Sequence, residues 1–178
     1  MGLGAYGQEV FKRTIKIEKN LLIDADGLNI LSKNLNLLGE RQDLTSILTP
    51  HEGEFARLTN LSIEEIKNNR KKVSEEFAKK YKVILVLKGH DTIVTDGDRT
   101  YVNKTGNSGM ASGGSGDVLT GIISAMMKNY DLYDAARLGV YIHGLSGDLF
   151  ASKNSKTSLR ARDLIEGLDQ VFKLFEKK

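Results

Sequence analysis

Apolar residues fall into two kinds of pattern along this chain. Leu21-Leu22-Ile23, Ser46-Ile47-Leu48 and Val83-Ile84-Leu85-Val86-Leu87 are short continuous runs, each followed by polar residues. That is how strands buried on both faces of a parallel sheet read, with polar carboxyl ends where open α/β sheets bind ligands. Elsewhere the apolar positions recur at helical spacing. Val10, Phe11, Ile15 and Ile17 fit a helix over 8–18 only loosely, and 27–32 reads as a short helix. Ser62-Ile63-Glu64-Glu65 has capping-box spacing, and Ile63, Ile66, Val73 and Phe77 mark one face of a single long helix predicted to reach Tyr81. Segments 92–95 and 100–102 flank the turn Asp96-Gly97-Asp98 as a hairpin or meander. Helices are then predicted over 117–127, 134–150 and 162–176, the last region with an apolar face of Leu159, Leu164, Ile165, Leu168, Phe172 and Phe175. The order of β-α units, a meander and a helical C-terminal layer predicts an α/β fold, its largely parallel sheet flanked by helices. With no linker or repeat in view, 1–178 reads as one domain.

The meander leads into Asn103–Gly121, NKTGNSGMASGGSGDVLTG, which holds six of the eighteen glycines in nineteen residues. Glycine lets a backbone come close to a ligand, and Gly113-Gly114-Ser115-Gly116 would turn its N–H groups toward one point at a helix N-terminus, where the macrodipole also favours an anion. Asp117 places a carboxylate in that anion hole. Two readings of Asp117 stand: an N-cap, since Asp is a preferred cap, or a functional carboxylate. A cap alone would need only one glycine, so the length of the loop favours function. A carboxylate aimed into an anion hole can accept a proton from a substrate hydroxyl while N–H groups stabilise charge developing on a phosphoryl group. No Walker lysine-serine pair accompanies the loop, which disfavours P-loop chemistry.

Three other stretches carry candidate chemistry. Asp24 and Asp26 follow the first strand; Asp26 reads equally as a cap for 27–32 or a ligand contact, and Asp24 as a ligand contact. Pro50, the only proline, ends the second strand and sets the entry of the next helix, presenting His51 at the strand's carboxyl edge. Lys88-Gly89 ends the third strand and favours phosphate binding over a snorkelling lysine. His90 in a loop and His143 in a packed helix have weaker claims. Gly2-Leu3-Gly4-Ala5-Tyr6-Gly7 satisfies G-x-G-x-x-G, but there is no room for a strand before Gly2, so a glycine-rich helix entrance competes with a dinucleotide fingerprint.

Composition narrows the class. Of the 178 residues, 40% are hydrophobic and 28% charged, which suits a packed domain of ordinary surface. There is no cysteine, signal peptide or long apolar run, which excludes disulfides and thiolate metal sites and leads us to expect a cytoplasmic protein with no membrane partner. The +3 net charge comes from lysines and arginines interspersed with acids, without aromatic-basic alternation, so no nucleic-acid partner is expected.

Gly114-Ser115-Gly116-Asp117-Val118-Leu119, preceded by Thr105-Gly106-Asn107 and Met110-Ala111, resembles the nucleotide-site motif of the ADP-dependent NAD(P)H-hydrate dehydratases of the ribokinase-like superfamily. Asp24-Ala25-Asp26-Gly27-Leu28-Asn29 resembles that family's DADxLN segment, Thr49-Pro50-His51-Glu52-Gly53-Glu54 its TPHxGE element, and Lys88-Gly89-His90-Asp91-Thr92 its Lys-Gly-x-x-Thr. The similarity spans nearly the whole chain. It implies a ribokinase-like fold lacking the family's first strands, a single domain incomplete at its N-terminus. It further implies ADP (or ATP) and Mg²⁺ as cofactors, hydrated NADH or NADPH (NADHX and NADPHX) as substrate, and a homo-oligomer. Asp117 would be the catalytic base and touch the substrate, as would Gly4 and His51. Lys88, Gly89, His90, Asp91, Thr92, Asn107, Gly114, Ser115 and Gly116 would hold the nucleotide, and Asp24 the Mg²⁺. Two alternatives remain at this stage: an ATP-dependent small-molecule kinase of the same superfamily, and a nucleotide-binding remnant without turnover.

Overall fold

The structure, a computed structural model, describes residues 2–41, 43 and 45–176. The chain read as one domain divides into two compact units, 1–102 and 103–178.

The first unit runs α1 (Ala5–Thr14), β1 (Leu21–Ile23), α2 (Asp26–Leu31), a 3₁₀ turn (Leu35–Glu40), β2 (Ser46–Leu48), α3 (Glu52–Thr59), α4 (Ile63–Asn68), α5 (Arg70–Tyr81), β3 (Ile84–Leu87), β4 (Ile93–Thr95) and β5 (Thr100–Val102). Its strands lie in the order β1-β2-β3-β4-β5. β1, β2 and β3 pair in parallel, in register Leu22↔Ile47 and Leu48↔Leu85, and β3-β4-β5 form the antiparallel meander. All of β2, β3 and β4 is buried, as continuous apolar runs require, whereas β1 pairs on one side only among the described residues. Phe11, Leu28, Leu48, Phe55, Ile66, Phe77 and Leu85 share one core, where the Phe77 ring meets Phe55 edge-on at 5.3 Å and Tyr81 at 4.6 Å.

Two expectations for this unit need correction. The single helix to Tyr81 is broken at Asn69, whose backbone (φ −134°, ψ 28°) leaves the helical region, because Arg70 turns from that break to pair with Glu52 and to donate to the carbonyls of Leu87 and Lys88. The capping box survives: Ser62 and Glu65 exchange side-chain and backbone bonds at the start of α4. The first helix is α1, starting at Ala5 and ending at Thr14 rather than spanning 8–18, with Gly4 as its extended N-cap, so the early glycines do enter a helix.

The second unit is helical: a 3₁₀ turn (Ser108–Met110), α6 (Ser115–Met126), α7 (Leu132–Ala151), a 3₁₀ turn (Lys156–Ser158), α8 (Ala161–Glu166) and α9 (Leu168–Glu176). The helix predicted over 162–176 is therefore two, divided at Gly167. Ser146 of α7 packs on this junction: its Oγ donates to the Leu164 carbonyl at 2.7 Å and lies against Gly167, where a side chain would collide. Its apolar face also differs from expectation. Leu164 and Val171 are buried, while Ile165, Phe172 and Phe175 stay 56%, 41% and 51% exposed.

Candidate functional site

In the first unit the parallel register brings three strand ends together. Thr49 N–H donates to the Ile23 carbonyl (3.2 Å) and Lys88 N–H to the Pro50 carbonyl (2.8 Å), which extends the ladder one step past each strand. Asp24, His51 and Lys88 are thereby neighbours along one edge. Lys88 Nζ lies 2.9 Å from Asp24 Oδ1 and 3.9 Å from Glu54 Oε2, all three side chains being largely buried. A cation between two carboxylates satisfies charges that burial would otherwise make costly. Asp24, expected to ligate magnesium, thus faces a lysine. Among the described residues no group of three or more His, Cys, Asp or Glu could hold a metal ion. The donor set does not fit a protein-built Mg²⁺ site; such an ion would arrive with its nucleotide, which usually supplies most of its ligands.

His51 is the N-cap of α3. Its Nδ1 accepts from the N–H groups of Gly53 (3.0 Å) and Glu54 (3.2 Å), and Glu54 Oε2 accepts from His51 N–H (2.8 Å), completing a capping box. Two backbone donors make Nδ1 the acceptor, so neutral His51 carries its proton on Nε2, which lies 3.6 Å from Glu54 Oε2, while the side chain as a whole is more than half exposed. Asp26 accepts from Gly2 N–H at 2.9 Å instead of capping α2, and Gly4 stands nearby in sequence as the cap of α1. Ala25 between the two aspartates holds φ 49°, ψ −119°, and Gly27 N–H reaches back to the Asp24 carbonyl at 3.0 Å. This is the glycine-favoured corner of a type II′ turn, strained for alanine.

The loop after β3 is tight. Gly89 (φ +139°) packs on the Arg70 guanidinium, Asp91 is left-handed, and Thr92 Oγ1 donates to the Gly89 carbonyl at 2.9 Å. His90 projects into solvent, its side chain 97% exposed.

In the second unit the glycine loop closes as a type II turn. Ser115 N–H bonds the Ser112 carbonyl (3.2 Å) and Gly114 sits at the left-handed corner, φ 84°. Gly114 is the N-cap of α6. Asp117 is the helix's third residue, exposed, and makes no side-chain cap bond, so the capping reading fails. The first-turn N–H groups of Gly116 and Asp117 have no partner among the described residues, as the start of a helix requires, and they form the available anion cradle. The buried Ser112 hydroxyl in the same loop also lacks one. From Asp117 an apolar groove of about 420 Å³ runs along α6 past Val118, Ile122 and Met126 to Ile165 and Phe172.

Beneath the loop lies α7. His143 is buried, with Nε2 3.0 Å from the Ser115 carbonyl and 3.3 Å from its hydroxyl. Burial pushes its pKa down to about 4, against the raising effect of the bond to Ser115. Asn107, expected to touch the nucleotide, is bound within the loop: its Nδ2 donates to Asp148 Oδ1 (3.0 Å) and its Oδ1 accepts from Gly109 N–H (3.1 Å).

A family model for NAD(P)H-hydrate dehydratase matches residues 1–170. The chain belongs to that family. It is 40% identical over 159 residues to the bifunctional NAD(P)H-hydrate repair enzyme Nnr of Thermofilum pendens, covering 88% of this chain and 30% of the relative. To the ADP-dependent (S)-NAD(P)H-hydrate dehydratase of Bacillus subtilis it is 39% identical over 133 residues, 73% of this chain and 48% of the relative. The crystal structure of ADP/ATP-dependent NAD(P)H-hydrate dehydratase from Bacillus subtilis, co-crystallised with ATP/Mg²⁺ and soaked with CoA, superposes with TM-score 0.85 at 29% identity, over 98% of this chain and 63% of that one. The architecture is therefore ribokinase-like, as the resemblance implied. The chain spans about a third to a half of the length of these curated relatives.

Two residues of this family member escaped sequence reasoning. Glu54 was visible in principle, since His51-x-x-Glu54 has capping-box spacing. Asp148 carries no local signal beyond lying five residues after His143 on one helix, and His143, read as part of a packed helix, is buried there.

Proposed function

We propose that this chain dehydrates hydrated NADH and NADPH at the expense of ADP, with ATP as the other candidate donor. The observation that carries the reading is an exposed Asp117 that caps nothing, in the first turn of a helix whose N–H groups stand open to an anion. Asp117 would take the proton of the substrate hydroxyl as its oxygen attacks the terminal phosphorus of ADP. AMP leaves, and the open N–H groups of Gly116 and Asp117, held in place by the turn through Gly114 and Ser115, would oppose the charge developing on the phosphoryl group. The phosphate then leaves with the electrons of its C–O bond while the adjacent carbon releases a proton to solvent, and the electrons of that C–H bond become the ring double bond. The net change is cofactor repair.

Supporting roles follow the resemblance. Lys88, Gly89, His90, Asp91, Thr92 and Asn107 would hold the nucleotide, and Gly4 and His51 the hydrated cofactor. The half-exposed ring of His51 is the group such a contact would use. Asp24 would act on a magnesium nucleotide only through Lys88 or water. Among the described residues no helix is long and apolar enough to cross a membrane, and a cytoplasmic setting suits a cofactor-repair enzyme.

The test is Asp117→Asn, which keeps the side chain's shape and removes the base. Dehydration should fall by about 10²–10⁴-fold while nucleotide affinity, read by calorimetry with ADP and ATP, stays nearly unchanged. A variant with full turnover would overturn the mechanism. Nucleotide binding without phosphate release by the wild-type chain would favour a binding remnant, and phosphorylation of another alcohol in a substrate screen would favour a kinase.

A further inference from the structure

We propose that Asp148 is a positioning residue for nucleotide binding, the anchor by which α7 holds the glycine loop in its anion-binding form; the role in binding rests on the function proposed above. The loop has few bulky side chains and could adopt many backbone conformations, so its shape must come from what it lies on. Five positions of α7 supply that shape. His143 meets Ser115 at the start of α6. At Gly144 an added Cβ would come 2.6 Å from the Thr105 carbonyl carbon, and at Gly147 2.8 Å from Met110 Cγ, so the loop rests directly on the helix at two points. Thr105 Oγ1 also donates to the Tyr141 carbonyl at 3.0 Å. Asp148 then closes the arrangement: Oδ2 accepts from Gly106 N–H at 2.7 Å and Oδ1 from Asn107 Nδ2 at 3.0 Å.

The polarity of these bonds is what requires a carboxylate. Gly106 N–H and Asn107 Nδ2 both donate to Asp148, while Asn107 Oδ1 receives Gly109 N–H. An acid can accept twice; an amide at 148 can accept once and must donate with its other arm. Asp148→Asn therefore keeps size and shape but breaks one of three links, either at position 106, between the two side chains, or at 109. A second change reverses the polarity. When Asn107→Asp is combined with Asp148→Asn, the carboxylate introduced at position 107 accepts from the amide at 148 and from Gly109 N–H, and the amide oxygen at 148 accepts from Gly106 N–H. All three links return with the net charge unchanged.

The experiment reads two quantities on the whole chain. Amide hydrogen exchange without ligand should speed up about tenfold or more at Gly106, at Gly109, or at both as the loop loosens in Asp148→Asn, and return to the wild-type rate in the double variant. ADP affinity should fall about tenfold or more in Asp148→Asn, the loss of a bond to a charged group. Ser146→Ala is the structural control, since it removes the bond from the same helix to the Leu164 carbonyl and should lower the melting temperature with no change in ADP affinity. Unchanged exchange in Asp148→Asn, or no recovery in the double variant, would overturn the anchoring. Wild-type ADP affinity in Asp148→Asn, or an equal loss in Ser146→Ala, would overturn the role in binding. A wild-type chain that binds neither ADP nor ATP would remove the functional reading and that role together, while the exchange data would still decide the anchoring.

Discussion

His143 makes the stability of this protein depend on pH in a calculable way. Its ring is buried on α7 against Ser115, and its pKa is lowered to about 4, whereas in the unfolded chain an imidazole titrates near 6.5. Between those values the unfolded chain binds a proton that the folded chain refuses, so acid favours unfolding. The contribution is fully present above pH 6.5 and is lost as pH falls toward 4. The gap between 6.5 and about 4 corresponds to about 3 kcal/mol, a large share of the ~5–15 kcal/mol that holds a typical domain together. Carboxylates titrate in the same range, so the measurement needs a reference in which only this group is silent. His143→Gln provides it: the amide can still donate to the Ser115 carbonyl but takes up no proton. Urea unfolding of both proteins at half-unit steps from pH 7.5 to 4 should give curves that diverge below pH 6.5, the wild type losing about 3 kcal/mol more by pH 4. Parallel curves would refute the reasoning, because they would mean that His143 is protonated in the folded state or that water reaches it.

Further outcomes follow from other contacts. Arg41 gathers the carbonyls of Ile17 (3.0 Å) and Lys19 (2.6 Å), that of Ile15, and the Ser46 hydroxyl (2.8 Å), tying the chain after α1 to β2 while burial lowers its own pKa. Arg41→Ala should cost about 1–3 kcal/mol in denaturant unfolding, since it leaves partly buried acceptors without a donor. Gly97, at φ +98° in the β4–β5 turn, lies against Lys79 so closely that an added Cβ would sit 2.7 Å from its Cα; Gly97→Ala should therefore lower the melting temperature by several degrees in a thermal scan, at a cost of about 1–3 kcal/mol. Because β1 leaves one edge of the sheet open among the described residues, self-association is expected. Sedimentation at micromolar concentration should show an oligomer, and a stable monomer would speak against it.

Local patterns carried much of the fold. The three parallel strands appear where continuous apolar runs ended in polar residues, and the Ser62–Glu65 box starts α4 as its spacing required. Breaks were harder to see. Nothing in the apolar periodicity of 62–81 marks Asn69, because the cause lies eighteen residues back in Glu52, which draws Arg70 out of line. Likewise nothing local shows that Ser146 packs on Gly167 and bonds the Leu164 carbonyl, or that the last helix buries Val171 and leaves Phe172 half-exposed.

The sequence by itself determined the chemistry available: a glycine-rich entry to a helix with Asp117 behind it, carboxylates and a lysine at strand ends, and motifs dense enough to mark the family. These are properties of residue type and short spacing, which local backbone preferences and side-chain chemistry dictate. Only the tertiary structure decided what each group is free to do. His51 and Asn107 read alike as contacts, yet His51 caps α3 with one ring nitrogen and leaves more than half of its side chain exposed, while Asn107 is bound to Gly109 of its own loop and to Asp148 of α7. Lys88 meets an aspartate sixty-four residues away, and Asp148 reaches back across forty-two to shape the loop. Partners at such separations are chosen by how the whole chain packs, because a hydrogen bond depends on distance and direction in space, and spacing along the chain specifies neither beyond a few residues.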